Sequence, residues 1–324
     1  MRRVRIIRSE RLVVLAMLGL AAVAACEGSD DAAAVRNRPG SPTPSATREE
    51  PGAVQKRSSR RTVRPPRPRH RLSDAPRRLA EELAGVHKQL RSEIRGWLNE
   101  GGKLSGSRVR SITLHALKQQ RIYRKLARDL PLARKVVRFL RGPLTETARA
   151  NILAGHKLAE LVTPVKPPVR LKTSRPESPH SLKRFHRSAG RRFGLPWQVL
   201  AAVNFVETRF GRILGPSSSG ALGPMQFLPS TWARYSNGGD IIDPRDSIMA
   251  AGRYLSASGA PERMRDALFA YNRSDAYVEA ILLYAKEIRK DPSNFYSYYF
   301  WQVFVATTQG DVQLTGPGSR RRLE

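Results

Sequence analysis

Apolar residues recur every three or four positions through much of the chain between Leu72 and Val162. One stripe of this kind consists of Leu79, Leu83, Val86, Leu90, Ile94 and Trp97. This spacing places the apolar side chains on one face of an amphipathic helix, and the pair Gly101-Gly102 ends it. Similar stripes follow as far as Val162. The pattern predicts an accessory α-helical bundle in this region.

A second helical region follows the proline-rich stretch Thr163–Pro179. Its helix starts are predicted where proline or a capping side chain precedes an apolar stripe, at Ser178-Pro179, Pro196, Pro229, Asp243-Pro244, Pro261 and Ser274. Near the C-terminus, two short runs of β-branched and apolar residues flank the turn Gln309–Asp311 and predict a small β-hairpin. The expected fold is therefore mainly α, with a possible C-terminal hairpin.

Glu207 is the residue in this region with the clearest chemical interest. It lies near the end of the apolar run Trp197–Phe210, with Phe205 and Val206 directly before it. An apolar environment disfavours a charged carboxylate and raises its pKa. A carboxyl group that stays protonated near neutral pH can act as a general acid. The alternative is a solvated glutamate at a helix end, which is the usual environment of this residue type.

A glycine-rich segment, Gly220–Phe227, follows Glu207 closely in the chain. Glycine allows the backbone to approach a ligand closely. Gln226 is polar between the apolar Met225 and Phe227, which favours a contact with a ligand. On sequence alone, Tyr271 and Asn272 could equally well mark the end of a helix.

Three segments occur in the order Glu207–Phe210, Gly220–Phe227 and Ala270–Asn272. Together they resemble lytic transglycosylases with a goose-lysozyme-like, soluble-lytic-transglycosylase-type catalytic domain. Pro224 stands where this family usually has leucine, a variant similar to that of actinobacterial members. The resemblance extends over about residues 178–304. It implies that Glu207 is the catalytic acid and that a sugar groove is lined by Gly220, Met225, Gln226, Phe227, Tyr271 and Asn272.

The resemblance also implies a substrate and a reaction. The substrate is the peptidoglycan glycan strand, whose MurNAc-GlcNAc bond is cleaved without water to leave 1,6-anhydro-muramoyl ends, with no metal and no cofactor. Two alternatives remain open at this point. One is a hydrolytic muramidase of the same fold, with Asp240 helping to activate water. The other is a non-catalytic cell-wall-binding protein.

The N-terminal segment predicts export. Five arginines among the first eleven residues precede the apolar run Leu12–Ala25, which is short for a membrane span. The run ends Val23-Ala24-Ala25-Cys26, which resembles a bacterial lipobox. We therefore expect lipidation of Cys26 and attachment to the outer face of the plasma membrane. A plain signal peptide, with secretion to the cell wall, and an uncleaved anchor are the alternatives.

The charge balance adds a class of partner. The chain carries a net charge of +31, and its 45-residue segment Glu27–Arg71 is rich in proline and arginine without any aromatic residue. Such a segment cannot bury apolar surface, so a disordered linker is expected. Its basic part favours anionic lipid or wall polymers over nucleic acid, because no stacking side chains are present. The predicted boundaries are 1–25 signal peptide, 26–71 linker, 72–172 accessory domain, 173–306 lysozyme-like domain and 307–324 tail.

Overall fold

The computed structural model of the protein describes residues 64–319. The predicted signal peptide, Cys26 and most of the predicted linker lie outside the described residues. Within them, the chain forms eleven helices and one two-stranded sheet: α1 (Pro76–Asn99), α2 (Gly106–Arg128), α3 (Leu130–Val137), α4 (Pro143–Glu160), α5 (Pro179–Phe193), α6 (Trp197–Thr208), α7 (Pro229–Tyr235), α8 (Pro244–Ala257), α9 (Met264–Tyr271), α10 (Asp275–Lys290), α11 (Ser293–Tyr299), β1 (Phe304–Thr307) and β2 (Gly310–Gln313). The predicted fold class, mainly α with a small C-terminal hairpin, is confirmed.

The accessory helices form because each has one continuous apolar face. All six members of the stripe predicted for α1 are buried. They pack against α2 and α3, and α2 in turn packs against α4. This part of the fold follows directly from the helical period of the sequence.

Helix α6 is the centre of the second region. Every residue from Val199 to Thr208 is buried, and the helix packs against α5, α8, α10 and α11. A helix that is apolar on all sides requires such an enclosure. Helix α10 packs against both α6 and α4, so the accessory helices share one core with the later ones. The domain boundary near residue 172 stays a prediction.

Capping side chains explain three of the seven helix starts from α5 to α11. Ser178, Asp243 and Ser274 each accept a hydrogen bond from a backbone N–H in the first turn of α5, α8 and α10. The predicted start at Pro261 is wrong, because α9 begins at Met264. The carbonyl of Gly259 accepts a hydrogen bond from the Arg263 N–H, so the chain makes one more turn before that helix.

The hairpin is antiparallel, with Val305 opposite Val312 and Thr307 opposite Gly310. Asp311 on β2 forms ion pairs with Arg124 and Arg128 of α2, which attaches the hairpin to the accessory helices. Residues at both ends of the described range also pack on the body. Arg121 donates hydrogen bonds to the carbonyls of Pro68 and His70. None of the described helices has the length and apolar character needed to cross a membrane.

Candidate active site

The carboxyl group of Glu207 is enclosed at the C-terminal end of α6, where 2% of the residue is exposed. Burial raises its pKa to about 8, and a hydrogen bond from Tyr277 opposes this rise with a smaller effect. Removal from water penalises the ionised form, as the apolar sequence around it predicts. The group is therefore largely protonated at neutral pH and able to donate a proton.

Tyr277 is the direct partner of this carboxyl. It lies in the first turn of α10, and its hydroxyl donates a 2.7 Å hydrogen bond to Oε1 of Glu207. Burial, followed by the nearby Glu207 carboxylate, raises the pKa of Tyr277 well above its usual value, so it remains a donor. The sequence showed Tyr277 only as an apolar position of a helix. Its role depends on a contact between residues 70 positions apart, for which the local sequence contains no signal.

The glycine-rich loop is fastened to α6 on both sides of Glu207. The carbonyl of Pro224 accepts hydrogen bonds from Asn204 Nδ2 at 2.9 Å and from Thr208 Oγ1 at 2.7 Å. Both side chains are completely buried. Both bonds use the backbone carbonyl of residue 224, which proline and leucine share, so proline retains this attachment.

The loop is closed by short backbone contacts. Leu222 and Phe227 exchange two hydrogen bonds of 2.8 Å. Between them, Gly223 has φ +75°, and a Cβ atom there would lie 1.9 Å from the carbonyl oxygen of Ile241. Only glycine fits at this position, which accounts for one of the glycines of the segment.

A groove of about 180 Å³ lies beside this loop. Four of the predicted substrate-binding residues line it together, namely Gln226, Phe227, Tyr271 and Asn272. The Tyr271 hydroxyl donates a 2.6 Å hydrogen bond to the carbonyl of Met225. Burial, and after it the Glu207 carboxylate, raises the pKa of Tyr271 well above its usual value, which places the groove wall near Glu207.

The groove also contains residues that sequence reasoning missed. Leu228, Thr231, Tyr254, Ala270 and Arg273 complete its lining. The ring of Tyr254 lies 5.3 Å from that of Tyr271 in an edge-to-face arrangement. Aromatic faces of this kind offer large apolar surfaces with polar edges.

Two predicted binding residues are placed elsewhere. The Met225 side chain is fully buried in the core, so only its backbone contributes, through the bond to Tyr271. Gly220 has φ +79° in the turn that precedes the loop, and nothing lies within 4 Å of a Cβ atom built there. Neither residue lines the groove.

Asp240 is positioned for a structural task. It is exposed, and its carboxylate accepts a 2.9 Å hydrogen bond from the N–H of Ile242. Its own N–H donates to Asp246 Oδ2 at 3.0 Å. No carboxyl group is among the causes of the Glu207 pKa shift. Among residues 64–319, no group of three histidine or acidic side chains is arranged to hold a metal ion.

Comparison with known proteins identifies this part of the chain. Residues 185–293 match the family described as "Transglycosylase SLT domain". They contain Glu207, the glycine-rich loop and the groove residues.

A named relative is distantly similar to the chain. The chain is 28% identical over 129 residues to membrane-bound lytic murein transglycosylase F of Thiobacillus denitrificans (strain ATCC 25259 / T1). The match covers 37% of this chain and 27% of the relative, so the chain spans about a quarter of the relative's length. No solved structure is significantly similar to the chain.

Proposed function

We propose that the protein is a peptidoglycan lytic transglycosylase that cleaves the MurNAc-GlcNAc β-1,4 bond and leaves 1,6-anhydro-muramoyl ends. The observation that carries this proposal is the enclosed carboxyl of Glu207, with its pKa near 8 and its hydrogen bond from Tyr277. The match of residues 185–293 to the SLT domain supports the substrate class.

The proposed reaction uses one carboxyl group twice. Protonated Glu207 gives its proton to the glycosidic oxygen, and the bond to the muramoyl anomeric carbon breaks as the GlcNAc hydroxyl leaves. The muramoyl N-acetyl oxygen stabilises the cation that develops. The Glu207 carboxylate then removes the proton of the muramoyl 6-hydroxyl, whose oxygen bonds to the anomeric carbon and closes the anhydro ring. The carboxyl is protonated again at the end, and no water is consumed.

The environment of Glu207 suits both halves of this cycle. Burial keeps the group protonated before the first step, as a general acid requires. The Tyr277 hydroxyl stabilises the carboxylate that exists between the two steps, because it donates to the charged form. Tyr277 is thus a positioning residue for Glu207.

The groove supplies a surface for the sugar rings. The Tyr254 and Tyr271 rings offer stacking faces, and the side-chain oxygen of Gln226 has no hydrogen-bond partner among the described residues. A buried acceptor without a partner is costly, and a small movement would let it accept from a sugar hydroxyl or amide. We include Asn272 in the same surface.

We further propose that the enzyme is anchored at the outer face of the plasma membrane by a lipid on Cys26. Support comes from the basic and apolar N-terminal segment that ends in the chain's single cysteine. The basic linker would then contact anionic lipid or wall polymers, while the groove binds glycan.

Glu207→Gln tests the chemistry. The amide keeps the shape and can still accept from Tyr277, but it has no proton to transfer. We expect turnover on purified peptidoglycan to fall by about 10²–10⁴-fold, with circular dichroism and cooperative unfolding retained.

Glu287→Gln is a matched control, because Glu287 is equally buried and lies outside the groove. We expect it to retain activity. Near-normal turnover by a folded Glu207→Gln protein would refute the assignment of Glu207.

A further inference from the structure

The described residues also form a second cavity, besides the groove. It has a volume of about 270 Å³ and is bounded by α2, α4, α10, the end of α6 and β1. Most of its surface is apolar and comes from small or aliphatic residues, among them Ala127, Leu158, Ala159, Val162, Pro164 and Ala306. Neither Glu207 nor any groove residue lines it.

Three arginines line this largely apolar cavity, whose other polar side chains include Gln120 and Asn151. Arg124 and Arg128 share a single carboxylate, that of Asp311, with Arg124 Nη2 at 2.7 Å from Oδ2. The third, Arg209, takes part in no ion pair among the described residues. Three cations against one anion leave the cavity with a local excess of positive charge.

Arg209 is held in place without being neutralised. Its Nη1 donates a 2.8 Å hydrogen bond to the carbonyl of Phe205, and its guanidinium lies 4.4 Å from the centre of the Phe205 ring. Burial lowers its pKa to about 10, which still leaves it charged at neutral pH. Arg209 is half-buried, and a cation partly removed from water without an anionic partner is unfavourable. An incoming anion would remove this cost.

Tyr284 adds a hydrogen-bonding group beside these charges. It lines the cavity with 3% of its surface exposed. Burial raises its pKa, whereas the charges of Arg209 and Arg124 act in the opposite direction. Its hydroxyl shares the cavity with the Arg209 and Arg124 guanidinium groups and can donate to the same anion.

We propose that this cavity binds a small amphipathic anion, with a carboxylate or phosphate group against Arg209 and Arg124 and a compact apolar body among the aliphatic side chains. Guanidinium groups recognise both kinds of anion by paired hydrogen bonds. A cavity of roughly 150 Å³ holds a benzene ring, so this larger one has room for a ring together with its charged group. The proposal does not depend on the reaction at Glu207.

Calorimetric titration of the purified full chain tests the chemistry of the ligand. The probes are phenyl phosphate and benzoate, with the uncharged benzamide and inorganic phosphate for comparison. We expect phenyl phosphate or benzoate to bind at least tenfold more tightly than benzamide, and more weakly as salt is added. We also expect inorganic phosphate to bind at least tenfold more weakly than phenyl phosphate. Equal affinity for benzamide, or for inorganic phosphate, would overturn the proposal.

Two variants locate the binding. Arg209→Gln should lower the affinity for the anionic probe, phenyl phosphate or benzoate, by at least tenfold. Arg110→Gln removes the same charge from an exposed position near the start of α2, about four helical turns from Arg124 and outside the cavity. It should leave the affinity within about twofold, as expected for a distant surface charge. Equal losses in both variants would show a general charge effect and contradict the proposed site.

Ala159→Leu keeps the test decisive if Arg209→Gln does not fold. Ala159 is a half-buried residue of α4 that faces the cavity, and leucine retains the helical propensity while filling the space. We expect this variant to lose binding as well. Unchanged affinity in a folded Ala159→Leu protein would place the ligand elsewhere.

Discussion

At the scale of single residues, the site depends on the unfavourable environment of Glu207. Enclosure keeps its carboxyl protonated in a pH range where an exposed glutamate is ionised. Tyr277 offers one hydrogen bond in place of water. The same enclosure that makes Glu207 a useful acid must destabilise the folded chain once the group ionises.

The unfavourable ionisation of buried Glu207 predicts that the stability of the folded chain depends on pH. The pKa of Glu207 is 4.5 in a reference peptide and about 8 in the folded chain. Between these values the folded state binds more protons than the unfolded state, so its stability falls as pH rises through this window. Each unit of difference corresponds to about 1.4 kcal/mol.

Glu207→Gln lacks this titration. Relative to the parent, we expect its free energy of unfolding to increase steadily as pH rises from 4.5 towards 8, by up to about 5 kcal/mol in total, and to level off above that range. Denaturant unfolding of both proteins across this range measures the difference. If the two proteins differed in free energy of unfolding by the same amount at every pH, the pKa of Glu207 would not be raised in the folded chain.

At the scale of elements, the candidate site depends on the attachment of the loop Leu222–Phe227 to α6. Asn204 and Thr208 lie on either side of Glu207 and bind the same carbonyl of Pro224. The loop then reaches the groove through Met225 and Tyr271. One set of hydrogen bonds thus links the acid to the wall of the groove.

Two glycines of this segment make a matched pair. Gly223 and Gly220 have nearly the same positive φ, but only at Gly223 would a Cβ atom meet backbone, at 1.9 Å. Gly220→Ala should cost about 1 kcal/mol of stability through φ alone. Gly223→Ala should cost about 2–4 kcal/mol because overpacking adds to the strain.

The two variants are compared by chemical denaturation, and Gly223→Ala is also assayed for turnover. We expect its activity to fall as Pro224 is displaced from α6. Equal stability of the two variants would show that the tight approach to Ile241 has no energetic importance.

The sequence predicted those parts of the fold and site that are encoded locally. The stripe of α1, the caps at Ser178, Asp243 and Ser274, and the apolar setting of Glu207 can all be read within one or two turns of helix. Contacts that join distant segments could not be predicted in this way.

The long-range contacts were missed for a physical reason. Three such features depend on how the helices pack. They are the hydrogen bond from Tyr277 to Glu207, the ion pairs of Asp311 with α2, and the burial of the Met225 side chain in the core. A tyrosine at a helical period, or a methionine in a loop, has the same local signal whether it serves a site or fills a core.

At the scale of the whole molecule, the accessory helices and the SLT-like region are built on one core. Helix α10 supplies Tyr277 to the site, packs against α4 and contributes Tyr284 to the second cavity. Helix α10 therefore contacts the accessory helices on one side and the candidate site on another, and it links the two.

The proposed anchor gives a prediction at the same scale. Cys26→Ala removes the only thiol of the chain and with it the proposed site of lipidation. In the native host, we expect the variant to leave the membrane fraction or to accumulate unprocessed, while the protein with intact Cys26 partitions into the detergent phase of a phase-separation extraction. A Cys26→Ala protein whose signal is cleaved and which yet remains membrane-bound would contradict the proposal. Ser29→Ala serves as the control substitution.

Mass spectrometry of the muropeptides released from purified peptidoglycan tests the central claim most directly. If Glu207 acts alone and twice, the products end in 1,6-anhydro-muramoyl groups, lack a reducing end and weigh one water less than the hydrolysis products. We expect these products from the parent, and about 10²–10⁴-fold less of them from Glu207→Gln. Reducing muropeptides as the main product, lost on Asp240→Asn, would contradict it and identify a hydrolytic muramidase.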